Sequence, residues 1–130
     1  MIDKDIDIFE KTINQLEGLH IEISILSKKS QNDALNIFKL KLVNQVLIES
    51  NKIIGEDYKP FSDFKKFNEE DLPSNSDVTL VLSQYLNCME SFREKNIFSN
   101  VKYSNGKIDK TYWYWIDTKR ETYPPKNLKK

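Results

Sequence analysis

The chain is predicted to be a helix-rich α+β protein, with about three principal helices followed by a C-terminal β-hairpin. Two observations carry this. Apolar residues recur at steps of three and four over most of the first 95 positions, as on the buried face of a helix. Asn105-Gly106 then separates two β-prone runs, and Asn-Gly suits the positive φ that a two-residue hairpin turn requires twice.

The N-terminal segment places Ile2, Ile6, Phe9, Ile13 and Leu16 on one helical stripe, with acidic residues near its start to complement the helix dipole. After Gly18, residues 19–26 (Leu19-His20-Ile21-Glu22-Ile23-Ser24-Ile25-Leu26) alternate apolar and polar. That pattern predicts a strand able to extend the hairpin to a three-stranded sheet, because two strands alone are marginal. A continued helix is the competing reading; it aligns Leu19, Ile23 and Leu26 and leaves Ile21 and Ile25 elsewhere.

A long central helix is expected from a weak capping box at Ser30 and Asp33 to a stop at Gly55. Leu35, Phe38, Leu42, Val46 and Ile53 form one stripe, widened by Leu40, Val43, Leu47 and Ile54. Asn36, Asn44 and Asn51 recur along it and are expected to be solvated, with a polar seam between helices as the alternative. Pro60 with Phe61, Phe64 and Phe67 predicts one or two helical turns over the core. Asn68 to Asp77 reads as a polar loop ending in an N-cap at Ser76 or Asp77. A third helix from Asp77 to Lys95 carries Val78, Leu82, Tyr85, Met89 and Phe92 on one stripe.

The hairpin ends in Tyr112-Trp113-Tyr114-Trp115, which holds both tryptophans of the protein. With Asn105 and Gly106 as the loop, Tyr103 faces Ile108, Lys102 faces Asp109, Phe98 faces Trp113 and Ile97 faces Tyr114. Phe98, Trp113 and Trp115 then share a face. One compact domain is expected over residues 1–117, with residues 118–130 as a basic, flexible tail containing Pro124-Pro125.

Lys plus Arg and Asp plus Glu number 20 each, so the whole molecule has no electrostatic bias. The charge is nevertheless polarised: residues 1–27 hold two lysines against six acids, and residues 102–130 hold eight basic residues against three acids. Mutual neutralisation of the two ends is the expectation.

A single cysteine, Cys88, precludes an intrachain disulfide and suits a cytoplasmic location. No apolar run is long enough to cross a bilayer, so no membrane partner is expected. His20 is the only histidine, which removes sites built on two. Cys88 sits among apolar helix neighbours that disfavour a thiolate. Glu69, Glu70, Asp71 and Asp77 lack the spacing of a calcium loop, and the three glycines are isolated, so no phosphate cradle is formed.

These observations point to no catalytic residues, metal or cofactor. The expected function is that of a small, non-enzymatic intracellular factor (a regulator, inhibitor or immunity-type protein) that binds another protein. Its candidate contact residues are Phe98, Lys102, Trp113, Trp115, Lys119 and Arg120, combining aromatic anchors with basic steering. The alternative is a single-stranded nucleic-acid module using the same surface, with bases stacked on the aromatics. For the Trp face itself the first reading is a wall of the core, ahead of either binding role.

Overall fold

A computed structural model describes residues 1–126 of the chain. Three α-helices are followed by a three-stranded antiparallel sheet: α1 (Asp3–Lys29), α2 (Ile37–Tyr58), α3 (Asn75–Glu94), β1 (Ile97–Ser104), β2 (Lys107–Trp115) and β3 (Glu121–Thr122), in sheet order β1-β2-β3. The helix-rich α+β class and the hairpin are as the sequence predicts.

The third strand is β3, not residues 19–26, which are the middle of α1. The competing periodicities are resolved by burial. Ile23 completes the stripe of Ile6, Phe9, Ile13 and Leu16 against the core, and Leu19 and Leu26 pack beside it, while Ile21 and Ile25 face outward. Gly18 does not break the helix; one glycine costs roughly 1 kcal/mol, less than the burial gained on either side of it.

α2 begins later than Ser30. Ser30 closes α1, and Asn36 caps α2 by accepting the Lys39 amide. Gly55 takes φ 67° and kinks the helix, which resumes to Tyr58. Leu40, Val43, Val46, Leu47 and Ile54 face the core, whereas Phe38 is 69% exposed. Of the expected stripe, Phe38 and Leu42 are exposed, and the residues expected only to widen it, Leu40, Val43, Leu47 and Ile54, are all buried, because α2 packs against both α1 and α3.

Residues 60–67 form no helix. Phe61, Phe64 and Phe67 instead stack edge to face in an irregular segment, with centroids 6.1 and 5.0 Å apart, and a short 3-10 turn follows at Glu69–Asp71. Asn44 fixes this segment. Its side chain accepts from the Phe67 amide at 2.9 Å and donates to the Phe67 carbonyl at 3.0 Å. Asn51 donates to the Lys65 carbonyl and accepts from the Tyr85 hydroxyl at 2.8 Å. Asn44 and Asn51 are therefore a polar seam and not a solvated stripe: an irregular segment cannot satisfy its own backbone, and these amides do it. Ser74, two residues earlier than expected, caps α3 through the Asp77 amide.

Candidate functional site

The hairpin register decides which aromatics are available. Ser104 pairs with Lys107 and Tyr103 with Ile108, but a bulge between Lys102 and Tyr103 leaves Asp109 as an extra residue. From there Lys102 opposes Lys110, Phe98 opposes Tyr114 and Ile97 opposes Trp115. The expected Lys102–Asp109 and Phe98–Trp113 pairs do not form. A one-residue slip exchanges faces, so Phe98 lies opposite the tryptophans and shares its face with Tyr112 and Tyr114.

The tryptophan face is the inner one. Trp115 is 1% exposed, edge-on to Phe9 of α1 at 5.2 Å, and Trp113 is half-buried against the same core. Both serve as wall of the core.

The outer face presents a ladder of rings. Phe98, 41% exposed, lies 5.8 Å from Tyr114, and Tyr114 lies 6.5 Å from Tyr112 in a stacked arrangement. Lys102 and Lys110 both hold their ammonium groups over the Tyr112 ring, at 4.8 and 4.5 Å. Neither lysine has a carboxylate partner among the described residues. Like charges placed directly opposite one another across strands repel, and the shared ring offsets only about 0.5–1 kcal/mol per exposed cation. An anionic group brought to this face would relieve the remainder. Lys119 is exposed at the base of the face, where it borders a shallow depression with Phe98 and Ile116.

Arg120 is spoken for. Its guanidinium pairs with Asp7 at 2.8 Å and Glu10 at 3.5 Å, which raises its pKa further, and donates to the Asp3 carbonyl. Lys126 reaches Glu17 at 3.2 Å. The acidic start and basic end of the chain thus neutralise one another in part, as their polarity suggests.

The segment assigned to the tail contributes β3 and the acceptors that hold a buried arginine of α3; residues 127–130 lie outside the described residues. Arg93 is fully buried and holds Glu90 in a two-pronged pair, at 2.8 Å through Nε and 2.7 Å through Nη2. The same guanidinium donates to Thr122 Oγ1, the Tyr123 carbonyl and the Pro124 carbonyl, and the Tyr123 ring lies 3.7 Å from its centre. Glu90 also accepts the Lys126 amide. A groove of about 490 Å³ beside this cluster is lined by Phe9, Ile13, Glu17, Arg93, Trp115 and Tyr123. All the guanidinium N–H donors are already used within the chain, so the groove offers no free arginine to a ligand. Sequence reading missed this cluster; Glu90 and Arg93, three apart on the helix, were its only local signal.

Cys88 is half-buried and burial pushes its thiol pKa up, the opposite of an activated nucleophile. Glu69, Glu70 and Asp71 form the 3-10 turn, and among the described residues no three His, Cys, Asp or Glu side chains gather as a metal would need. No helix among the described residues is long and apolar enough to cross a membrane. Comparisons with protein-family models, curated proteins and solved structures found no match.

Proposed function

We propose that this chain is a small intracellular, non-enzymatic factor that binds another protein through the outer face of its hairpin. The ladder of exposed Phe98 and half-buried Tyr114 and Tyr112, flanked by the opposed Lys102 and Lys110, carries the reading. Exposed rings supply contact area at low entropic cost, and uncompensated lysines favour an acidic partner surface. Trp113, Trp115 and Arg120, which have intramolecular partners, leave the set of expected contact residues; Phe98, Lys102 and Lys119 remain, joined by Lys110, Tyr112 and Tyr114.

The test is capture from native lysate with the wild type and with a Lys102→Glu/Lys110→Glu variant, both treated with nuclease. A protein retained by the wild type and lost by the variant supports the reading; an equal yield from both sinks it. Ring spacing along the ladder also suits stacked bases, so single-stranded nucleic acid is the second reading. It requires that an oligonucleotide titration shift the tyrosine side-chain resonances of this face and weaken steeply with salt.

A further inference from the structure

β1 is an edge strand. Among the described residues the sheet order leaves one side of Ile97–Ser104 unpaired, and this run of Ile-Phe-Ser-Asn-Val-Lys-Tyr-Ser contains no proline and a single charge. Long edges with so little protection are templates for pairing with another strand.

The direction in which the free backbone groups point follows from the ladder. The Ile116 amide donates to the Asn96 carbonyl at 2.8 Å. Hydrogen-bonded pairs alternate along an antiparallel ladder, so Phe98, Asn100 and Lys102 direct their backbone groups to β2. Ile97, Ser99, Val101 and Tyr103 direct theirs to the open edge. A second β1 laid antiparallel about a two-fold axis at Asn100 pairs Ile97 with Tyr103 and Ser99 with Val101, in both directions. Every outward amide and carbonyl from 97 to 103 then finds a partner. An axis at Ser99 or Val101 leaves an end residue of this run unpaired.

The same register sets Phe98 of one copy across from Lys102 of the other, at the close, non-hydrogen-bonded positions where side chains meet. An exposed ring thus faces an ammonium that has no carboxylate partner among the described residues of its own chain. The interface is isologous, as two-fold dimers require.

From this complementarity we propose that the free edge of β1 binds a second copy of this chain, giving a continuous sheet of order β3-β2-β1-β1-β2-β3. The aromatic ladders of the two copies then merge across the axis. The backbone groups of the edge are distinct from the outer face, although Phe98 and Lys102 belong to both, so a monomer that still captures a protein partner overturns this inference and leaves the proposed function standing.

Sedimentation of the full chain from ~10 μM to ~1 mM is the experiment, a span that detects dimers of weak to moderate affinity. The mass is expected to rise with concentration from 15.4 kDa toward twice that value. Amide exchange at Ser99 and Val101 should slow about tenfold as it does. Two variants leave the β1–β2 ladder alone. Val101→Pro removes an outward donor at an edge position that tolerates proline, and Asn100→Lys sets two ammonium groups face to face at the axis. Both are expected to melt like the wild type at low concentration and to stay monomeric. A wild type that remains monomeric throughout, a dimer that survives both variants, or a dimer without protection at Ser99 and Val101 overturns the proposal. So does a monomer in which those amides become protected only when an acidic peptide such as oligo-glutamate is added.

Discussion

Replacing Arg93 by alanine should be among the most damaging single changes in this protein, although the residue touches no proposed partner surface. The side chain is fully buried and its donors are divided between Glu90 and the backbone or hydroxyl groups of Thr122, Tyr123 and Pro124. Its removal leaves the Glu90 carboxylate, itself only 5% exposed, with the Lys126 amide as its remaining partner among the described residues. Stranding one charge of a buried pair costs about 3–5 kcal/mol. That is a large share of the roughly 5–15 kcal/mol by which domains are stable. The expected fall in melting temperature is roughly 10–20 °C for a domain of this size.

Urea unfolding followed by tryptophan fluorescence measures the loss, because Trp115 packs in the same core and Trp113 pairs with Thr122. Limited trypsin digestion at Lys119 and Arg120 reports separately whether the C-terminal segment has come free. The control is Arg93→Met with Glu90→Leu, in which no charge is stranded; it should recover most of the stability while the segment stays more sensitive to trypsin. A single variant that loses less than about 1 kcal/mol, or a double variant as unstable as the single, would refute the argument that a stranded carboxylate is the dominant cost.

Trp115→Ala should cost about 3–5 kcal/mol as a core cavity, while Tyr112→Ala on the outer face should stay within about 0.5 kcal/mol; comparable losses in denaturant would contradict the assignment of faces. Trp115→Phe should be milder than Trp115→Ala, since the indole Nε1 has no hydrogen-bond partner to lose among the described residues. Burial raises the Tyr85 pKa above 10.0. The unfolded chain therefore releases that proton first, and stability, full below about pH 10, declines as pH rises through the folded value. Tyr85→Phe should flatten the decline, and an unchanged alkaline slope would count against it. Cys88 should alkylate on the order of tenfold more slowly in the folded protein than in urea at pH 8, because burial raises its thiol pKa and limits access; equal rates would show it open and reactive.

Helices were legible wherever one stripe buried cleanly. The positions of Val78, Leu82, Tyr85 and Met89 identify α3 without a structure, and all four are buried. Residues 19–26 were ambiguous because isoleucines satisfied both a period of two and a period near four. Only the packing of α2 and α3 against α1 decided that Ile23, and not Ile21 or Ile25, was covered. The seam asparagines were misread for a related reason: Asn44 has no partner within its own helix, and the groups it satisfies lie 23 residues on.

The candidate site divides along the same line. Local chemistry determined the hairpin, since Asn105-Gly106 specifies the turn within a few residues, and it determined that large aromatics and lysines would lie along the strands. Which aromatics face outward was a matter of one residue. The bulge at Asp109 exchanges faces, and it brings Ile97 opposite Trp115 so that both are buried beside the helices. Composition and periodicity report what a segment prefers, but a face is chosen by what packs against it. The tertiary structure therefore assigned the tryptophans to the core and left Phe98, Tyr112 and Tyr114 outside.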